Sequence, residues 1–323
     1  MNKQLARNQY NRSILGKMSD WREFSLVAVI FVMCVVFSIS SSYFLRTSNW
    51  VNIGLQGAIV IIISFGMNFV ILSGGIDLSV GSILALSSVL APKIMLSGMP
   101  IWLASLVALG AGTLAGMING TLIVKTGINP FLVTLGTSSV LRGITYHITG
   151  GSTVPVVVVK FLDLFAGEVL GIPLPIIYAV LLFVMSHVVL SKMKFGREVY
   201  ATGSNDVAAR LSGIKVDRVR SLVYTIAGFL AGFGGLIAAA RFGSGLPSYG
   251  EGLELEAIAA VVLGGTSFDG GSGTMTGTIL GALLMVILIN GLTLLNVSYY
   301  TQMVVKGTII ILAVYWDIVQ SRK

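Results

Sequence analysis

Charge is what this 323-residue chain has least of. Asp, Glu, Lys and Arg make up 11% of it, against about 25% in an ordinary soluble domain. Hydrophobic residues account for 55% and the mean hydropathy is +0.91. A soluble protein of that composition could not cover its surface. Cysteine is almost missing: Cys34 stands alone, so an internal disulfide is excluded and a thiolate metal site has no partners. Inside an apolar run it reads as a small buried hydrophobe. The two histidines, His147 and His187, lie far apart, and no nucleophile–base pair or acid dyad is visible, so metal or covalent catalysis has little support. The pattern Gly-x-x-x-x-Gly-Lys-[Ser/Thr] does not occur, so the chain does not bind ATP in the P-loop way. No small-residue cleavage site follows the first apolar run, and neither end carries a lipidation motif.

What is present in quantity is apolar length. Runs near 20 residues, the length that spans a hydrocarbon core as a helix, recur along the chain. Lipid leaves no backbone group unsatisfied, so repeated runs of this kind predict helices rather than strands. The 39 glycines fit close helix packing in a membrane. Spans are expected over about 24–43, 51–72, 79–96, 101–124, 129–148, 172–190, 222–240, 254–265, 274–295 and 301–316. The fold class is therefore an all-α membrane protein, a polytopic bundle of about ten transmembrane helices. The blocks of four spans after the first and after the sixth enter from opposite sides, which predicts an inverted repeat on topology alone, without sequence identity between the halves.

Residues 1–23 read as a cytoplasmic tail, 24–319 as the transmembrane domain, 191–221 as a cytoplasmic loop and 320–323 as a cytoplasmic C-terminus. With the N-terminus inside, the outer side keeps only Arg46, Lys93, Arg142, Lys160, Arg241 and Lys306 of the 21 Lys and Arg. That is a positive-inside bias, and it assigns the net charge of +8 to orientation rather than to nucleic acid. The weak span is 254–265: if re-entrant, it would reverse the last two.

Within 191–221, a two-turn helix is expected. Ser204 or Asn205 is a good N-cap, Asp206 sits in the first turn where the helix dipole favours an anion, Arg210 lies in the last turn, and Gly213 is a ready C′ residue. A helix this short is not stable alone and needs something to pack against, either its own bundle or a cytoplasmic partner.

This stretch resembles the coupling loop of permease subunits from the ribose/galactose/xylose family of ABC importers. The same family shows Gly74-Gly75-Ile76-Asp77-Leu78-Ser79-Val80-Gly81-Ser82, then Glu254-Leu255-Glu256-Ala257-Ile258 running on to Gly264-Gly265-Thr266-Ser267 and Gly270-Gly271. Asn290-Gly291-Leu292 with Tyr299-Tyr300, Gln302 and Lys306 is a further match. The resemblance covers about 48–313, is closest to the ribose branch, and is poor over 153–169. It implies a transport subunit, not an enzyme: two permease copies, by default a homodimer, form the pathway for a monosaccharide. Separate ATPase subunits beneath them carry ATP and Mg, and a periplasmic or extracellular sugar-binding protein lies above. No cofactor is expected on this chain and no nucleic acid partner. The location implied is the bacterial inner membrane. Gly203, Asn205, Asp206, Ala209, Arg210, Leu211, Ser212 and Gly213 would couple to the ATPase.

Other residues keep two readings each. Asp77 or Ser79 can cap the third span or touch substrate, and Gly74, Gly75 and Gly81 suit a tight turn. Glu254 and Glu256 are expected as interfacial caps; if buried, either could carry a proton. Gly264 and Gly265 open a flexible inner turn. Arg142 and Tyr146 can line a polar vestibule or join an interfacial belt. Asn68, Asn119 and Asn290 can bond a sugar hydroxyl or a neighbouring helix. The rival function is an ion-coupled secondary transporter of a small polar solute, which needs buried ionisable residues at mid-membrane.

Overall fold

The computed structural model describes residues 23–321. The expected N-terminal tail, Glu23 apart, and residues 322–323 lie outside the described residues. The described chain is helical almost throughout, as apolar runs in lipid require. In order come α1 (Glu23–Ser40), α2 (Thr47–Leu72), α3 (Val80–Leu96), α4 (Ile101–Thr126), α5 (Pro130–Thr149), α6 (Val159–Ala166), α7 (Leu174–Lys192), α8 (Lys194–Ser204), α9 (Asp206–Leu211), α10 (Val216–Phe242), α11 (Leu253–Leu263), α12 (Met275–Leu294) and α13 (Tyr299–Ser321). Two minimal antiparallel pairs join β1 (Val154–Pro155) to β4 (Ser244–Gly245) and β2 (Glu168–Val169) to β3 (Ile172–Pro173). The segment 150–171, between the fifth and sixth expected spans, thus holds α6 and a tight hairpin, and α8 is an addition within the polar stretch 191–221.

Glycine sets the core. α4 crosses α10 where Gly112 and Gly116 face Gly228 and Gly232. A Cβ on Gly116 would lie 2.2 Å from the Tyr224 carbonyl. Only small residues permit backbones this close. α2, α3, α4 and α10 pack together, with Ile62, Phe65, Ile71, Leu84 and Tyr224 fully or almost fully buried.

Among the described residues, seven helices are long and apolar enough to cross a membrane: α1, α2, α4, α7, α10, α12 and α13. Three further segments cross by their contacts. α3, at 17 residues, and α5, more polar, start together near Ile76, whose carbonyl takes the Thr134 hydroxyl. They end together where Lys93 donates to the Ile148 carbonyl. The third is 243–263, an irregular stretch followed by α11, which at 11 residues is about half a span. Arg220 at the start of α10 pairs with Asp206 of α9, and the Tyr200 hydroxyl of α8 reaches the Gly273 carbonyl before α12. Hence α10 and α12 begin at the same end, and 243–263 carries the chain back across. The reversal of the last two spans does not occur, although the returning segment is half irregular. A long helix, a break, a short helix and two more helices therefore occur twice, in opposite senses.

Candidate functional site

Two constructions stand out, one at the end that carries α8 and α9 and one at mid-depth.

At the first, Asn205 caps α9, its side chain accepting from Ala208 N at 2.9 Å. Gly213 takes φ +82°, and Ile214 N returns to the Ala209 carbonyl at 3.0 Å, a Schellman-like close. Arg210 bonds Asp217 and Asp206 pairs with Arg220 at 3.5 Å, which ties the short helix to α10. Ala209 is buried beneath it, while Val207 and Leu211 are 64% and 86% exposed. The cap, Gly213 and Arg210 follow the sequence signals; the Ser212 hydroxyl simply returns to the Ala208 carbonyl. Gly203, just before, seats α8 on the end of α2: a Cβ there would lie 1.8 Å from the Leu72 carbonyl. Gly271 N donates to that same carbonyl. The turn after α11 is thus pinned rather than flexible. Gly265 and Gly270 adopt φ +87° and +90°, and Gly264 packs on the Gly277 carbonyl of α12, 2.4 Å from where a Cβ would stand.

From this end the linker 73–79 rises to α3. Gly74 takes φ +81° against Gly203 and Asp269, and Gly75 faces the Tyr224 hydroxyl, which donates to the Ile76 carbonyl. Asp77 Oδ1 accepts from Ser79 N at 2.8 Å and Ser79 Oγ at 2.6 Å. It holds the turn before α3 and does not cap the helix itself; neither does the Ser79 side chain. Asn119 Nδ2 donates to Ser79 Oγ at 2.8 Å. All three are fully buried.

At mid-depth the start of α3 meets the irregular segment after α10. Gly81 at the start of α3 abuts the Gly250 carbonyl and the Glu254 carboxylate, 2.2 and 2.5 Å from where a Cβ would stand. Beside it the Ser82 and Ser138 hydroxyls lie 2.8 Å apart. Arg142 Nη1 donates to the carbonyls of Pro247 at 2.7 Å and Tyr249 at 3.0 Å, and the Tyr146 hydroxyl donates to Glu251 at 3.2 Å. Arg142 and Tyr146 thus hold the irregular segment 246–252, with Tyr146 itself still exposed.

Several expectations change. Glu256 is not an interfacial cap: it is 3% exposed and pairs with Lys306 of α13 at 2.9 Å. Glu254 does serve the start of α11, but at mid-depth rather than at the surface. The three asparagines all go to helix contacts. Asn68 accepts from Thr266 Oγ1 at 2.9 Å, Asn119 holds Ser79, and Asn290 exchanges hydrogen bonds with Asn49 at 2.9 and 3.1 Å. None of the three faces an open path. One surface groove, of about 680 Å³ between α4 and α5, is apolar, lined by Ile118, Leu122, Val140 and Ile144 among others, which suits lipid chains or another helix rather than a sugar. Ser138, Glu251 and Tyr224 escaped the sequence reading. Thr134, Ser138 and Arg142 do recur every fourth residue along α5, a polar line that was legible.

Comparison with known proteins agrees with this architecture. The family model described as branched-chain amino acid transport system / permease component matches residues 49–314. The chain is 47% identical over 290 residues to the ribose import permease protein RbsC of Bacillus subtilis, covering 89% of this chain and 90% of that one. It is 41% identical to the protein of the same name from Escherichia coli, covering 91% and 92%. It is 39% identical to the D-allose transport system permease protein AlsC of Escherichia coli, covering 92% of each. No solved structure matches. With its match over most of its length and its multi-pass helical bundle, the chain belongs to this family of transport-system permease components.

Proposed function

We propose that the chain is the membrane permease subunit of a binding-protein-dependent ABC importer that carries a ribose-like monosaccharide inward. The observation that carries the reading is α9. A helix of 6 residues does not persist in isolation, yet this one is capped, ion-paired to α10, and turns Val207 and Leu211 outward. An apolar pair left exposed on a small polar helix calls for a partner groove. That groove belongs to a separate ATPase subunit, where ATP is bound with Mg²⁺ and hydrolysed. Gly203, seated on the end of α2, passes the resulting movement into the bundle. The printed names of the relatives, ribose and D-allose permeases, support a monosaccharide as the solute. A periplasmic or extracellular binding protein delivers it at the opposite end.

A second copy of the chain completes the path. Along α5, Gly136, Ser139, Gly143, Tyr146 and His147 are exposed, and next to them so are Ser248 and Glu251. Irregular backbone and charge at this depth are not tolerated against lipid. A twin subunit facing them across water would satisfy both. The α8–α9 end is then cytoplasmic, in a bacterial inner membrane, with both termini on that side. ATP binding acts by favouring one of two bundle arrangements over the other.

The test is to purify the tagged protein in mild detergent, identify what accompanies it, and reconstitute the assembly in vesicles. An ATPase in the preparation and ATP-dependent uptake of D-ribose support the reading. The protein alone, taking up solute with an ion gradient and without ATP, would overturn it.

A further inference from the structure

The stretch 246–252 lies part-way along the bundle, with Pro247 and Gly250 buried and Ser248 and Glu251 exposed. Arg142, which holds it, is the thirteenth residue of α5, about 18 Å along the helix from its cytoplasmic end. At that depth the carbonyls of a non-helical segment need partners from protein or water. Pro247 and Tyr249 find theirs in one guanidinium nitrogen of Arg142. One turn towards the outside, Tyr146 bonds Glu251. Beneath the segment, Gly81 touches Gly250, and one turn inward along α5 the buried Ser82 hydroxyl meets Ser138. Further in, Thr134 meets the Ile76 carbonyl. A line of polar side chains thus follows the seam between α3 and α5 through the membrane, and 246–252 lies across its outer half. The clasp is made of a guanidinium, a phenol and a carboxylate, the groups that exchange hydrogen bonds most readily with vicinal hydroxyls.

We propose that segment 246–252 is the outer gate of the solute path, that Arg142 is the positioning residue that holds it shut, and that a polyhydroxylated solute opens it by taking over the hydrogen bonds among Arg142, Tyr146 and Glu251. The inference rests on the reading of the chain as a sugar permease and adds to it the element that moves. One nitrogen of Arg142 serves both carbonyls, so a single displacement releases the segment. Gly81 and Gly250, in backbone contact, form the point about which it turns, and Ser82 becomes accessible from outside.

The test uses the assembled complex in vesicles. Cys34→Ala removes the chain's own thiol, and Ser82→Cys provides a reporter for a membrane-impermeant maleimide, read on the permease band. Arg142→Ala is expected to raise the labelling rate about tenfold over the parent, and Arg142→Lys, which keeps a donor for the carbonyls, to stay within about twofold. Equal rates in the parent and Arg142→Ala overturn the gate. Should Arg142→Ala not assemble, as size-exclusion reports, Tyr146→Phe and Glu251→Gln decide instead: a rise of about threefold supports the gate and no change overturns it. Added D-ribose is expected to raise parent labelling about threefold, with betaine, which lacks hydroxyls, as control. Equal effects of the two overturn the exchange. ATP-dependent D-ribose uptake by the parent is measured in the same vesicles: its failure counts against the importer reading, while the labelling comparison among variants still decides the gate.

Discussion

Between α2 and α3 the chain breaks at 73–79, and between α10 and α11 it breaks at 243–252. Both breaks follow a long core helix, both end in a glycine-led turn with an acid behind it (Gly75-Ile76-Asp77 in one, Gly252-Leu253-Glu254 in the other), and both lead into a short helix. Their supports differ. Into the first reach side chains from α4, α5 and α10: Asn119, Thr134 and Tyr224, and Asp77 and Ser79 are fully buried. The second is paired with β1 at Ser244–Gly245 and rests on α3 at Gly81, but 246–252 takes its side-chain hydrogen bonds from Arg142 and Tyr146 of α5 and leaves Ser248 and Glu251 exposed. Local opening is easiest where few buried contacts hold the backbone. The first break therefore acts as a stiff link from the docking helices, and the second as the part that yields.

The stiff link is where a substitution should act hardest. Gly203→Ala would set a Cβ 1.8 Å from the Leu72 carbonyl and 2.6 Å from Gly271 N, backbone atoms that cannot step aside. Overpacking of this kind costs about 1–3 kcal/mol or more. Uptake is expected to be lost while the ATPase still turns over; a variant with parental uptake would mean the link is not rigid there.

Next comes the ion pair that fastens the second short helix. Lys306→Ala leaves Glu256 buried without its partner, and breaking such a pair costs about 3 kcal/mol, towards the low end because Lys306 keeps some exposure. Thermal unfolding in detergent reads it. Glu256→Leu with Lys306→Met should recover most of the loss, whereas no recovery would give the pair a role beyond holding α11 to α13.

Leu211→Glu on α9 is expected to weaken ATPase co-purification about tenfold, equivalent to about 1.4 kcal/mol, with the permease itself as stable as before. Arg210→Glu should act in the same direction, since it also removes the tie to Asp217. Undiminished co-purification and uptake would place the partner contact elsewhere. Smallest is the Asn49–Asn290 exchange: a double-mutant cycle with alanine should give a coupling of about 0.6 kcal/mol, as for other hydrogen bonds between membrane helices. A coupling several times larger would move this pair from packing to mechanism.

Local signals were readable wherever they act within a few residues. Asn205, Gly213 and the turn glycines Gly74 and Gly265 behave as their positions in the chain foretell, because caps and positive φ depend on near neighbours. α8 was not read, since a polar surface helix of 11 residues carries no apolar run to mark it. Glu256 was misread as a cap because its partner lies 50 residues away. Asn68, Asn119 and Asn290 stayed open between sugar and helix until their partners at Thr266, Ser79 and Asn49 came into view.

By itself the sequence determined that this is a bundle of membrane-crossing helices, since lipid forces every apolar run of span length to close its own backbone hydrogen bonds. It also determined the family, through long ordered motifs, and the short capped helix. Only the tertiary structure decided that the start of α3 meets the second break at Gly81 and Gly250, that Arg142 holds a backbone segment instead of standing free, and that Glu256 is paired with Lys306. Each of these pairs residues distant along the chain, and their approach is set by how glycine-lined helices pack, which no local pattern records.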